Sequence, residues 1–227
     1  MDELGIDLWN LSECCWHGCS QTHKVTGMPE MKRTYSSFKL ILNAVQNAVA
    51  GSPDKVVLVG IDGAGGSGKS TLAKKLASVL DNSTIVHLDD FADWNDGSNF
   101  QLSTFAERTL TPLVAGITSK HQRYDWSTDS LGEWFEIPSS GIAIIEGVTA
   151  LRPDLRDYWH VSAWVDCPRD LRLERGVARD GEAIRSKWVE EWIPGEDEYF
   201  ARERPWDSAG FIFDGASSGN SEFAPPA

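Results

Sequence analysis

The sequence predicts a three-layer α/β fold around a parallel sheet of about five strands, with a small lid. Two observations carry this. Short apolar, β-branched runs alternate with stretches of helical periodicity, and a glycine-rich turn joins the first such run directly to a helix. At 227 residues the chain has room for one domain with a substantial core.

The elements follow in order. In "SSFKLILNAVQNAVA" the positions Phe38, Leu42, Val45 and Val49 fall at helical spacing, and "GSPD" ends that helix. "KVVLVGID" is the uninterrupted apolar run expected of a strand buried on both faces. After the glycine turn, Leu72, Leu76, Val79 and Leu80 mark the inner face of a second helix from Lys69. Further strands are expected over "TIVHLDDF", "IAIIEG", "HVSAWVDCP" and "AGFIFDG", with helices over Thr104 to Ala115, Arg169 to Arg179 and Ala183 to Trp192. Such alternation implies right-handed crossovers and ligands beyond the carboxyl ends of the strands.

Residues 1–31 read as a poorly ordered extension, 32–214 as the folded domain and 215–227, of linker composition, as a disordered tail. Three of the four cysteines, Cys14, Cys15 and Cys19, crowd into the extension with His17 and His23, but without the paired spacing of a structural zinc site. The 34 acidic against 21 basic residues give a formal charge of −13, which disfavours nucleic acid and anionic membrane surfaces as partners. No run reaches the ~18 apolar residues of a spanning helix and the start lacks a signal-peptide pattern, so a cytoplasmic protein is expected, with a homodimer left open.

The segment Gly63-Ala64-Gly65-Gly66-Ser67-Gly68-Lys69-Ser70, followed by Thr71, satisfies G-x-x-x-x-G-K-[ST] between a strand and a helix, the setting that a phosphate-binding P-loop requires. Glycines let backbone N–H groups converge on phosphate oxygens, and the helix N-terminus adds partial positive charge. Lys69 is expected on the β/γ-phosphates and the Ser70 hydroxyl on Mg²⁺. No N-K-x-D guanine signature occurs, and the length leaves little room for a transporter ATPase, so a small kinase remains. The reading from another class is a nucleotide-binding regulatory module without phosphotransfer.

Phosphoryl transfer needs a carboxylate near the acceptor hydroxyl, a held Mg²⁺ and cations that neutralise charge in flight. Asp89 and Asp90 stand at the carboxyl end of the second strand; adjacent carboxylates on extended backbone diverge, so one acts and one supports. Glu146 closes "IAIIEG" at the same sheet edge, suited to Mg²⁺ or its bound water. Arg172, Arg175 and Arg179 share a helical face before Gly181, as a lid over phosphates would.

The P-loop "GGSGKST" with "LDDF", "RYDW", "IIEGV" and "RLERGVARD", in this order from about Val56 to about Asp214, resembles the uridine kinase-like branch of P-loop kinases, relatives of phosphoribulokinase and pantothenate kinase. The resemblance implies a P-loop NTPase fold and an ATP- and Mg²⁺-dependent phosphotransferase acting on a hydroxyl of a small molecule. It implies Asp89 as general base, Lys69, Arg175 and Arg179 around the transferring group, and Ser70 and Glu146 at the metal. Asp90, Phe91, Tyr124, Asp125, Trp126 and Arg172 would face the acceptor. Uridine kinases carry an aromatic residue after the Phe of the D-x-F segment and a histidine after Y-D-[FW]; this chain has Ala92 and Asp129. A nucleoside-like acceptor is the first expectation, and a sugar, vitamin precursor or natural-product hydroxyl the second. Trp94, Trp126, Trp134, Phe135, Trp188 and Trp192 gather around the expected acceptor pocket and lid.

Overall fold

The computed structural model describes residues 34–91, 102–125, 128 and 130–217. The cysteine-rich extension, Ala92, Trp94, Trp126, Asp129 and the end of the tail lie outside the described residues.

Five strands form one parallel sheet in the order β2-β5-β1-β6-β7: β1 Val56–Gly63, β2 Ser83–His87, β5 Gly141–Glu146, β6 Val161–Asp166 and β7 Phe211–Asp214. These correspond to the five expected runs. Every residue of central β1 is buried, as the uninterrupted apolar run requires. One sheet face packs against α1 (Phe38–Gly51) and α2 (Lys69–Ala77) through Ile41, Val45, Leu72 and Leu76. The other face is covered by Phe105, Leu113, Tyr199, Phe200 and Trp206. The two cores, one on each face, complete the three layers.

The register brings the ends of the strands together. Ile61 pairs with Glu146, His87 pairs with the same Glu146, and Gly63 pairs with Val165, so the P-loop opens at the carboxyl edge between β5 and β6.

Four local readings need correction. The strand expected through Phe91 stops at His87, because β5 ends at Glu146 and offers no further partner; Leu88–Phe91 turns into a 3₁₀ helix. Asp89 and Asp90 therefore sit on a tight turn. "SKHQRYD" was not expected to be extended, yet β3 (Ser119–Asp125) pairs antiparallel with β4 (Ser130–Ile137), with a register shift between Gln122 and Tyr124.

The other two corrections concern helices and share a cause. Leu102–Val114 runs as α3 (Leu102–Phe105), a π turn (Ala106–Leu110) and α4 (Thr111–Val114). From Glu182 the chain forms a 3₁₀ turn, α7 (Arg185–Lys187), a π turn (Trp188–Trp192) and then α8 (Ile193–Glu203), which the sequence reading did not anticipate. Each π turn directly precedes a helix with proline in its first turn, Pro112 or Pro194, and the wider turn accommodates the ring and the missing N–H. Short α5 (Pro153–Arg156) and long α6 (Arg169–Asp180) complete the elements. Gly181, at φ 95°, ends α6 and donates to Val177 O at 2.8 Å. Gly215 and Ala216, assigned to the tail by composition, are tied in: Gly215 N donates to Asp166 O at 2.8 Å.

Candidate active site

The phosphate loop takes the shape its glycines permit. Gly66 and Gly68 have φ of 73° and 104°, and Gly68 hands the chain into α2 with no side-chain cap. The amides at that helix start are thus left for a ligand. Lys69 is buried, and its Nζ donates to Ala64 O at 3.0 Å, folding the side chain back along the loop.

Ser70 Oγ donates to Glu146 Oε1 at 2.8 Å, and His87 Nδ1 lies 2.6 Å from the same oxygen. Burial of Glu146 works to raise its pKa, but the His87 hydrogen bond, the Lys69 charge and the Ser70 hydroxyl together hold it below the usual carboxylate range. The carboxylate is therefore ionised and hard, and His87 is raised chiefly by its hydrogen bond to Glu146.

Asp89 is accessible to solvent, yet enough protein stands around its carboxyl to crowd it. That crowding pushes its carboxyl up, with Glu146 adding, while Lys69, His87 and Arg179 pull the other way. Asp90 turns elsewhere: its Oδ1 accepts from Tyr124 N at 3.3 Å, and its Oδ2 lies 3.6 Å from His121 Nε2. The two carboxylates diverge, as expected, but from a 3₁₀ turn.

The three lid arginines do not act as one group. Arg172 is buried and pairs with Glu196 at 2.9 Å. Arg175 donates to Gly215 O at 2.9 Å and lies 3.6 Å from Cys167 Sγ. Arg179 pairs with neighbouring Asp180 at 2.6 Å, although its charge also acts on Asp89 and Glu146. Lys69, Ser70, Asp89, Glu146 and, through its field, Arg179 are thus brought together; Arg175 is directed to the C-terminal carbonyls.

No protein-family model matches the chain. Among curated proteins it is 27% identical over 159 residues to uridine-cytidine kinase C of Dictyostelium discoideum, covering 64% of this chain and 35% of that protein. It is 28% identical over 171 residues to the uridine kinase of Macrococcus caseolyticus (66% of this chain, 80% of that one). Against the uridine kinase of Ligilactobacillus salivarius the figures are 24% over 151 residues, 59% of this chain and 71% of that one. The chain thus spans about a third of the Dictyostelium relative and more than two thirds of the two bacterial ones. Its fold is shared with a protein from Bacillus stearothermophilus described as a possible uridine kinase (TM-score 0.60, 20% identity, 78% of this chain and 98% of that one). It is shared equally with a Silicibacter protein named as a fructose transport system kinase (TM-score 0.63, 23% identity, 74% and 96%). The chain is thus similar in sequence to uridine kinases and shares its fold with these two kinases.

The expected acceptor side is built from the β3–β4 hairpin and the 3₁₀ turn. Phe91 is buried, its ring 5.3 Å from Phe105 and 4.7 Å from His121, so it forms wall rather than open surface. Phe135 lies on the far side of His121 at 5.5 Å and under the Arg123 guanidinium at 4.1 Å. Tyr124 and Asp125 pair with Leu131 and Ser130 across the hairpin, and Trp134 stands exposed.

Sequence reasoning missed four residues of this candidate site. His87 is one. Asp62, fully buried at the end of β1, accepts from Gly63 N (2.6 Å), Thr149 N (3.2 Å), Leu151 N (2.8 Å) and Tyr199 Oη (2.7 Å). It fixes the first amide of the phosphate loop and the segment after Glu146, where Thr149 is held at φ 78°, a strained value for a β-branched residue. Burial pushes the Asp62 carboxyl up to about 6 despite these hydrogen bonds and the Lys69 charge. Glu196 and Tyr199, both on α8, complete the set. For Asp62 the only signal was an acid ending an otherwise apolar strand; for the α8 pair there was none.

Proposed function

We propose that the protein is an ATP- and Mg²⁺-dependent kinase that moves the γ-phosphate to a hydroxyl of a small molecule, with a nucleoside-like acceptor as the first reading and a cytoplasmic setting. One arrangement carries this: Asp89, accessible to solvent, stands within the fields of Lys69, Glu146 and Arg179, at the sheet edge where the P-loop opens. In that position its carboxylate would orient the acceptor hydroxyl and take its proton. The raised pKa makes it the stronger base when ionised. Lys69 and the loop amides would hold the phosphates. Arg179, released from Asp180, would meet the charge in flight.

The oxygens present fit Mg²⁺. Ser70 Oγ and Glu146 Oε1 lie 2.8 Å apart beside the loop, and this ion is generally held by one or two protein oxygens, with phosphates and water completing the shell. When bound, Mg²⁺ would neutralise charge on the β- and γ-oxygens.

A sugar hydroxyl is the second reading, favoured by Ala92 and Asp129 where uridine kinases carry an aromatic residue and a histidine. ADP release from Mg·ATP across nucleosides, sugars and vitamin precursors, with a no-acceptor control, decides between them. Asp89→Asn is expected to lower acceptor-dependent turnover by about 10²–10⁴-fold while leaving nucleotide affinity near that of the wild type. Slow ADP release, equal with every acceptor and indifferent to Asp89→Asn, would leave a nucleotide-binding module instead.

A further inference from the structure

Two side chains of α8, three residues apart on one helical face, reach the base of the phosphate loop. Tyr199 Oη donates to Asp62, the residue before the loop. Glu196 lies inside it: Oε1 accepts from Gly65 N at 2.6 Å and Oε2 from Arg172 at 2.9 Å, with both side chains of the ion pair buried. The surrounding contacts are equally close. A Cβ on Gly65 would come within 2.7 Å of the Trp188 ring and 2.9 Å of Glu196 Oε1. A Cβ on Gly66 would sit 2.4 Å from Arg172 O, and one on Gly176 would sit 2.5 Å from Trp188. In G-x-x-x-x-G-K-[ST] the positions of Gly65 and Gly66 are unrestricted. What lies over the loop accounts for the glycines there: the backbone of α6, the Trp188 ring and the Glu196 carboxylate.

We infer that Glu196 is a positioning residue for phosphoryl transfer, clasping the Gly65 amide with one oxygen and the Arg172 guanidinium with the other so that α6 and the phosphate loop are held in a single geometry. The inference rests on the kinase reading above. The carboxylate suits the task because it accepts from two donors on opposite sides, which no neutral side chain does equally well. Arg172, buried beside the loop, would otherwise be an uncompensated charge. Misplacement of a phosphate-binding backbone by about 1 Å is enough to cost on the order of 100-fold in rate.

The test compares wild type with Glu196→Gln, Glu196→Ala, Arg172→Ala and the Glu196→Ala/Arg172→Ala double variant. It reads kcat and KM from ADP release, Mg·ADP affinity by calorimetry, and the melting temperature. Glu196→Gln keeps size and a hydrogen-bond acceptor, so it guards against loss of fold. The clasp predicts that Glu196→Ala lowers kcat about 100-fold, that Glu196→Gln recovers part of it, and that Arg172→Ala adds little in the Glu196→Ala background. Effects that multiply overturn it. So does a lower melting temperature with kcat unchanged, or tighter nucleotide binding in Glu196→Ala, which would make the carboxylate a competitor of phosphate. If the wild type binds Mg·ADP yet turns over no acceptor, the kinase reading fails. The clasp is then judged by affinity alone: a non-additive loss across the same variants supports it, and unchanged affinity overturns it.

Discussion

Asp62 is an acid whose four partners all donate. Its folded pKa of about 6 lies above the ordinary 3.8, so the native state keeps this proton over a range where the unfolded chain has lost it. Stability from this group is therefore full below about pH 3.8 and declines as pH rises to about 6, by roughly 3 kcal/mol in all. Asp62→Asn removes that slope but turns an amide NH₂ toward N–H donors, a cost of about 1–3 kcal/mol. The expected outcome is a variant clearly less stable than wild type at pH 4, with the gap narrowing by pH 7, read from urea midpoints at both pH values. Gly66→Ala combines a φ of 73° with a 2.4 Å approach to backbone and is expected to cost more than Gly65→Ala, whose obstacle is a tryptophan ring. Melting temperatures of the two variants check the order. The letters of the loop were legible because its glycines, Lys69 and Ser70 are contiguous. Asp62, Glu196 and Tyr199 were not, because Glu196 meets Gly65 across 131 positions and Tyr199 meets Asp62 across 137. No spacing rule spans such distances.

At the scale of elements, the five parallel strands were readable since burial on both faces demands runs such as "KVVLVGID" and "IAIIEG". The β3–β4 hairpin was not, for the opposite reason. Most of β4 is exposed or half-exposed, so "SLGEWFEI" carries no clean alternation, and only Ile137 is buried. The hairpin contrasts with the core it adjoins: Trp134→Ala is expected to shift stability by less than about 0.5 kcal/mol, whereas Phe105→Ala, at a fully buried ring, should cost about 3–5 kcal/mol. Denaturant titrations of both variants test this. The helix α8 escaped notice because Pro194 and Gly195 stand near its start, where they read as an ending. Proline is tolerated there because the π turn before it accommodates the ring and the missing N–H.

Across the whole molecule, the three layers and the parallel sheet followed from alternation alone, while the lid did not. Its arginines were read as one basic face; in the fold they serve three partners, Glu196, the Gly215 carbonyl and Asp180. The difference arises because an acidic protein of net charge −13 surrounds every cation with competing anions, and helical periodicity cannot tell which one is reached. The cover formed by α6, Trp188 and α8 has a further consequence, for exchange between proteins. A phosphate loop is usually treated as a portable cassette. Here the segment Gly63–Ser70 is cut to fit its own roof, so a relative's loop bearing side chains at positions 65 and 66 would need the facing parts of α6, Trp188 and α8 to travel with it.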